Sequence, residues 1–279
     1  MCLVDSHCHL NHPVFSNDLP QVVAHAREAG IAAIVNVGYD LLSSQTAIQQ
    51  AATYSVDGFI VVATIGLHPH HADQWDHDLA RKLRALARDA NVVAVGECGL
   101  DFYRSPVSPA VQEKAFQGQL EVAALFNLPV VLHIRDAYQE VLRILDQFGH
   151  QSLCGVAHCF TGTEEDAWGF LEKGFFIGLT GIVTHPKKSD LVRQVAAKLP
   201  MERLLVETDA PYIAPHPYRG KRNEPANLSL IVQEVARVRS LPTHQVARLT
   251  AENAQRLFNL LKKRNGQEGL SLPSHRGTR

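Results

Sequence analysis

The chain has 279 residues, 46% of them hydrophobic, and can bury a sizeable core as one large α/β domain or as two smaller domains. Its 27 lysines and arginines are balanced by 28 aspartates and glutamates, which gives a formal net charge of -1. This balance excludes a global basic field that would draw the protein to nucleic acid or to a membrane, so any phosphate binding must be local.

The compartment is predicted from the N-terminal segment and from the cysteines. The first residues lack a basic segment followed by an apolar one, so we expect no cleaved signal peptide. No uninterrupted apolar stretch is long enough to span a bilayer. Five cysteines without C-x-x-C spacing argue against a disulfide framework and against a thiolate zinc site. We therefore expect a cytoplasmic protein without a membrane association, and no obligate protein partner is evident.

Eight short apolar runs recur along the chain, and none of them alternates with polar residues. Parallel strands that are buried on both faces have this character. In chain order the runs are CLVDSH, IAAIVNVG, GFIVVATIG, NVVAVGE, LPVVLH, LCGVAH, GFFIGLTG and RLLVETD. Helix-length segments separate them, and Leu19, Val22, Val23 and Ala26 are spaced to form one apolar helical face.

This alternation predicts a (β/α)8 TIM barrel, an α/β fold that typically takes about 250 residues. A doubly wound open sheet is the alternative, but no G-x-G-x-x-G follows the first run. Amphipathic segments at 228–239 and 243–261 complete the helical layer, the last as an extra C-terminal helix. We expect residues 1–261 to form a single domain. The segment 262–279, rich in Gly, Ser, Pro and Arg, is predicted to be a disordered tail.

Most of the apolar runs end in residue types that bind metals. These residues are His7, His9, His68, Glu97, His133, His158, Glu207 and Asp209. In a parallel barrel all of these positions face the C-terminal rim, where barrel active sites are built. Taken singly, each has an ordinary explanation as a structural histidine or as a carboxylate that caps a helix. Their convergence on one rim predicts a metal site.

The number of ligands predicts two metal ions. Four imidazoles and two carboxylates are more than one tetrahedral ion needs. The first ion is assigned to side chains of the first and last strands, His7, His9 and Asp209. The second is assigned to His133 and His158, with Glu97 as the bridge. Mixed nitrogen and oxygen ligands favour Zn, Mn, Fe, Co or Ni over Ca. Such a pair activates water and stabilises both oxygens of a displacement, so hydrolysis is the predicted chemistry.

Sequence motifs resemble those of the TatD family of metal-dependent deoxyribonucleases, in order and in spacing. They are DSHCHL, GLHPH, GECGLDFYR, LPVVLHIRDA, HCFTGT, GFFIGLTG, LLVETDAPYIAP and RGKRNEP, and the similarity runs from Val4 to Phe258. The resemblance implies a (β/α)8 barrel and places metals on the residues that match His7, His9, Glu97, His133, His158 and Asp209. It also implies that Asp209 handles the proton of the attacking water, while Glu207 is left open between a metal ligand and a supporting residue.

The resemblance implies a substrate as well. It predicts a 3′–5′ exodeoxyribonuclease that cleaves single-stranded DNA, or RNA, with Asp209 and Glu97 as catalytic residues and two divalent ions, Zn, Mn, Mg, Ni or Co. One alternative is hydrolysis of another ester or amide at the same site, such as the removal of a D-amino acid from an aminoacyl-tRNA. A metal-binding scaffold without catalytic activity is the other.

Five residues near the rim are predicted to bind the substrate. The segment HPYRGKRNEP follows the last strand, and it offers basic and amide groups close to a metal carboxylate. The predicted contacts are His68, Arg135, Arg219, Arg222 and Asn223. Aromatic residues near the rim are candidates for base stacking, although packing is the expected role of most of them; they are Phe102, Tyr103, Phe160 and Tyr212. Cys8, between two predicted ligands on a strand, is expected to point to the opposite face and pack in the barrel.

Overall fold

The fold is described from a computed structural model, which covers residues 3–148, 153–187 and 189–260. Eight parallel strands form one sheet whose spatial order follows the sequence. The strands are β1 (Leu3–Cys8), β2 (Ile31–Asn36), β3 (Ile60–Ile65), β4 (Val92–Asp101), β5 (Val130–Arg135), β6 (Gly155–Ala157), β7 (Phe176–Leu179) and β8 (Leu204–Val206). Each strand is followed by a helix, and the predicted (β/α)8 barrel is confirmed.

The helices form the outer layer. They are α1 (Leu19–Glu28), α2 (Leu41–Tyr54), α3 (His77–Leu86), α4 (Pro109–Phe126), α5 (Tyr138–Gln147), α6 (Glu164–Glu172), α7 (Asp190–Lys198), α8 (Leu228–Arg239) and α9 (Thr243–Phe258). The face predicted for α1 is buried, with Val22 and Ala26 fully inaccessible to solvent. Helix α2 begins after Asp40, whose carboxylate accepts the N–H of Ser43 at 2.7 Å and satisfies one of the free donors of the first turn. In the described parts of the chain, no helix is both long and apolar enough to cross a membrane.

Hydrogen bonds between the first and last strands close the barrel. The Asp209 N–H donates to the His7 carbonyl at 2.9 Å, and the His9 N–H donates to the Ala210 carbonyl at 2.7 Å. Below them, the buried carboxylate of Asp5 accepts the N–H of Thr208 at 2.9 Å and its hydroxyl at 2.6 Å. The two ends of the sheet therefore meet at the residues that the sequence assigns to the first metal ion.

Helix α9 covers the end of the barrel opposite the rim. Its residues Ala254 and Leu257 pack in one apolar cluster with Val131, Val156 and Leu205 of the barrel interior. Each of these three interior residues lies two positions before a predicted site residue and therefore shares its face of the strand. The site residues are His133, His158 and Glu207 in the same order. The interior is thus apolar at the end that α9 covers and polar at the rim.

Two boundaries differ from the sequence analysis or lie beyond what the structure describes. Strand β4 does not end at Glu97 but continues for four residues to Asp101, so Glu97 lies inside a long strand. Helix α9 ends at Phe258, whereas the predicted end at residue 261 lies outside the described residues, as does the predicted tail 262–279. The assignment of residues 1–261 to a single domain stays a prediction.

Candidate metal centre

Side chains from the ends of several strands meet at the rim, and two carboxylates lie close to the paired imidazoles of His7 and His9. The Nε2 atoms of His7 and His9 are 3.2 Å apart. Asp209 Oδ1 lies 3.7 and 3.5 Å from these two nitrogens, and Glu97 Oε2 lies 3.6 and 3.5 Å from them. Ligands placed tetrahedrally at about 2.1 Å from a shared centre are about 3.4 Å from one another. The ligand atoms of His7, His9 and Asp209 all lie within 4.8 Å of one another, so these three side chains can share one divalent ion, and Glu97 adds an oxygen beside the two histidines.

Hydrogen bonds on the far side of the rings orient two of the histidines. His9 Nδ1 lies 2.9 Å from the Val37 carbonyl and His158 Nδ1 lies 3.0 Å from Glu207 Oε1, so each Nδ1 is the donor and each Nε2 is left to accept. The His7 ring stacks on the His158 ring with centroids 3.6 Å apart. Its buried Nδ1 has no hydrogen-bond partner among the described residues. The bonds to Nδ1 of His9 and His158 are of the kind that commonly orients metal-binding histidines through the second ring nitrogen.

The two oxygens of Glu97 face different histidines. While Oε2 faces His7 and His9, Oε1 lies 2.8 Å from His133 Nδ1, 3.4 Å from His158 Nε2 and 3.7 Å from His68 Nε2. A carboxylate that bridges two ions has to present its oxygens to two ligand groups in this manner. The arrangement fits the predicted role of Glu97, and the binding of ions by these residues stays a prediction.

The electrostatics of the centre favour a cation. Burial tends to raise the pKa of Glu97, but the surrounding imidazoles, His158 first, outweigh it and hold that pKa well below its usual range. The pKa of Asp209 is lowered for the same reason. Burial opposes protonation of His158, yet its carboxylate neighbours, Glu207 first, raise its pKa to about 10. The site therefore contains ionised carboxylates whose negative charge favours a bound cation, and divalent ions would neutralise that charge.

The family follows from comparison of the whole chain with known proteins. The family model of TatD related DNases matches residues 4–259. The chain belongs to the TatD family. It is therefore a TatD-type metal-dependent hydrolase, as the motif resemblance implied.

Similar proteins agree with this assignment. The chain is 39% identical to a protein of Pantoea ananatis named 3′-5′ ssDNA/RNA exonuclease TatD, an alignment that covers 93% of this chain and 100% of the relative. It is 36% identical to an uncharacterized metal-dependent hydrolase of Bacillus subtilis, YabD, over 92% of this chain and 99% of the relative. The crystal structure of the TatD homologue YJJV from Escherichia coli superposes with a TM-score of 0.85 at 30% identity and covers 92% of this chain and 98% of that one.

Glu207 contacts one of the predicted ligands of this TatD site from behind. Its fully buried carboxylate accepts from His158 Nδ1, from the Cys159 N–H at 2.6 Å and from the Ser6 hydroxyl at 3.2 Å. A Cβ atom at Gly178 would lie 2.5 Å from Glu207 Oε1, so the glycine of β7 leaves the space that the carboxylate fills. These contacts make Glu207 a support for His158, one of the two roles that the sequence left open.

Asp101 is a site residue that the sequence analysis missed. Its Oδ2 lies 3.2 Å from His133 Nε2 and 2.8 Å from His70 Nε2, and its side chain is 2% exposed. Its position four residues after Glu97 on one strand was the signal, because alternate residues of a strand share a face. That signal was lost because the apolar run was taken to end at Glu97.

The predicted substrate residues fall into two groups. His68 lies inside the centre, with its ring 4.3 Å from that of His133, while Arg135 at the end of β5 and Arg219 in the loop after β8 have exposed side chains. Arg222 instead pairs with Asp18 at 2.6 Å. Contact of any of these residues with a substrate stays a prediction.

Arg222 and Asn223, the second group of predicted substrate residues, have partners within the protein. Arg222 also pairs with Glu224 at 2.8 Å, so both of its ion pairs lie in the surface around the loop after β8. Asn223 is fully buried, and its amide donates to the carbonyls of Thr208 at 2.9 Å and Tyr212 at 2.8 Å. Asn223 thus fixes the loop that follows β8. Cys8 is buried in the apolar core, as expected.

Proposed function

We propose that this chain is a 3′–5′ exonuclease of single-stranded DNA or RNA that works with two divalent ions. The observation that carries the proposal is the position of Glu97, whose two oxygens face two separate groups of histidines on the barrel rim. The name of the Pantoea ananatis relative, which is 39% identical, supports the substrate class. The near-zero net charge is compatible with an enzyme that engages a few nucleotides at a strand end.

The residues are assigned to the ions as the sequence predicts. His7, His9 and Asp209 would hold the first ion. His133 and His158 would hold the second, with Glu97 shared between them. Two such ions, with Zn, Mn, Mg, Ni or Co as the candidates, would lower the pKa of a bound water and would neutralise charge on the phosphate.

The side chains of the chain itself do the rest of the chemistry. Asp209 is ionised because nearby imidazoles lower its pKa, so a carboxylate oxygen of Asp209 can accept the proton of the attacking water. His68 would donate a hydrogen bond from Nε2 to a phosphate oxygen, a role supported by the distance of 3.7 Å between that atom and Glu97 Oε1. Arg135 and Arg219 supply exposed guanidinium groups for neighbouring phosphates.

We also propose a cellular compartment for the enzyme and its independence of protein partners. It would act in the cytoplasm and without an obligate protein partner. The described cysteines, Cys8, Cys98, Cys154 and Cys159, are free thiols, which suits a reducing compartment.

The test combines metal analysis with product identification. Protein stripped by a chelator and refilled with Mn²⁺ should take up two equivalents and shorten a 5′-labelled single strand from its 3′ end. A circular single strand of the same sequence should resist cleavage, because it offers no end. Glu97→Ala should lose both the second equivalent and the cleavage. Uptake of one equivalent by the wild type would contradict the two-ion site. Release of a D-amino acid from aminoacyl-tRNA by a protein that leaves the strands intact would favour the deacylase alternative.

A further inference from the structure

An exposed tyrosine stands beside the metal centre. Tyr103 lies two residues after the end of β4 and is 61% exposed, more than any other tyrosine, tryptophan or phenylalanine in the described parts of the chain. The loop that carries it begins at Asp101, which contacts His133 of the centre. The exposed ring therefore lies at the rim where the substrate must enter.

Two guanidinium groups lie over this ring. The Cζ atom of Arg135 is 5.1 Å from the ring centroid of Tyr103, and that of Arg104 is 5.8 Å from it. Within the described chain Arg104 has no ion pair, and Arg135 Nε lies 4.0 Å from Asp136 Oδ1, which is too long for a hydrogen bond. That Nε atom is buried and has no hydrogen-bond partner among the described residues. The buried Nε of Arg135 is out of reach of a ligand, but its side chain is 41% exposed, and the outer nitrogens of both guanidinium groups are the donors available to a phosphate.

Asp101 connects this group rigidly to the metal centre. Its Oδ1 accepts the backbone N–H of Tyr103 at 3.0 Å and that of Arg104 at 2.7 Å, which fixes the turn. Its Oδ2 lies 3.2 Å from His133 Nε2, and the other nitrogen of His133 lies 2.8 Å from Glu97. The turn and the centre are therefore joined through one carboxylate and one imidazole. A surface held in place before binding loses little entropy when a ligand arrives.

We infer that Tyr103, Arg104 and Arg135 form a stacking subsite for one nucleotide next to the scissile phosphate, an inference that rests on the proposed nuclease function. The base stacks on the Tyr103 ring. Since an exposed cation–π contact is weaker than the stacking of a nucleobase, the base displaces one guanidinium from the ring. The displaced group then pairs with the adjacent phosphate. Every base offers a π face, so the subsite accepts any sequence.

The first experiment measures binding without catalysis. A fluorescent single strand with its 3′ end free is titrated with chelator-treated protein, and a single abasic residue is placed in turn at each of the last positions. For the wild type, an abasic residue at one position is expected to weaken binding by about tenfold. Tyr103→Ala should weaken binding of the intact strand by about tenfold and should abolish the effect of the abasic position. Tyr103→Phe, which keeps the ring, should bind like the wild type.

The controls separate stacking from surface exposure and from charge. Trp168→Ala removes an aromatic side chain that is 41% exposed on α6 in the outer layer, and it should leave binding unchanged. Arg104→Ala should reduce the slope of log affinity against log salt by about 0.7, the value for one phosphate contact on a single strand. Thermal unfolding of Tyr103→Ala at the wild-type temperature would show that the variant is folded.

The second experiment separates this inference from the proposed function. With metal restored, Tyr103→Ala should raise KM for the intact strand by about tenfold and match the kcat/KM of the wild type on the strand that is abasic at the identified position, where no base can stack. If the wild type cuts strands but Tyr103→Ala remains sensitive to the same abasic position, the subsite is refuted and the nuclease function stands. If the metal-loaded wild type cuts no strand yet shows the abasic effect on binding, the nuclease function is refuted and the subsite stands. The absence of any abasic effect in the wild type refutes the subsite.

Discussion

Replacement of Glu207 tests whether this residue controls metal binding through His158. Glu207→Gln keeps the shape of the side chain and one acceptor oxygen, but it removes the charge opposite His158 Nδ1, 3.0 Å away. Loss of such a partner behind a metal-binding histidine lowers metal affinity by about 10- to 100-fold, or about 1.4 to 2.8 kcal/mol. Glu207→Ala removes the whole carboxylate and should also destabilise the fold. It leaves the buried N–H groups of His158 and Cys159 without their acceptor, at about 1–3 kcal/mol each, so the free energy of unfolding should fall by about 2–6 kcal/mol.

The assay has two parts. Competition with a chromogenic chelator gives the affinity for each equivalent of Mn²⁺ or Zn²⁺, and urea unfolding in excess chelator gives the stability of the metal-free protein. Glu234→Gln is the matched control, because Glu234 is a carboxylate of α8 that pairs with Arg193 and Arg237, away from the rim. It should leave metal affinity unchanged. If Glu207→Gln binds both equivalents with wild-type affinity, the orientation of His158 does not depend on Glu207, and the reasoning fails.

Three further predictions concern residues around the loop after β8 and on α8. Asn223→Ala should lower the free energy of unfolding by about 2–6 kcal/mol, measured in urea, because the carbonyls of Thr208 and Tyr212 lose their donor; a wild-type stability with a raised KM would instead mark Asn223 as a substrate contact. Arg219→Ala should reduce the salt slope of single-strand binding by about 0.7, whereas Arg222→Ala, whose guanidinium is engaged in ion pairs, should leave that slope unchanged. The bond from Arg237 lowers the pKa of Glu234, so its stabilisation is present above the ordinary value of 4.5 and lost as pH falls through the lower folded value. The difference in unfolding free energy between the wild type and Glu234→Gln should therefore be positive at pH 7 and shrink as pH falls below 4.5, and a constant difference would contradict this assignment.

The barrel was predictable because its strands are buried on both faces. Runs such as IAAIVNVG and LPVVLH have no polar alternation, and they became β2 and β5 in the expected order. Once the order of a parallel barrel is known, its C-terminal ends must share one rim. The meeting of His7, His133 and Asp209 at that rim therefore followed from topology.

The supporting contacts were not predictable because they depend on distances between strands. Asp101 meets His133 only because β4 and β5 are paired so that Asp101 lies opposite Arg135. The same limit applies to Arg222, whose basic character indicated phosphate binding while its actual partner, Asp18, lies 204 positions away in the sequence. A basic loop shows its charge in the sequence but not the carboxylates that neutralise it.

The closure of the barrel has a consequence for when the metal centre can form. The first and last strands are joined by bonds between residues about 200 positions apart, including that of Ser6 to Val206. An ion held by His7, His9 and Asp209 would act as a cross-link between the two ends of the domain, and a link across so long a loop removes much entropy from the unfolded chain. A ribosome must synthesise the chain past Asp209 before the first ligands can be completed. Uptake of the first ion would thus show that β1 and β8 have come together and closed the barrel. A chain truncated before β8 would remain without this ion.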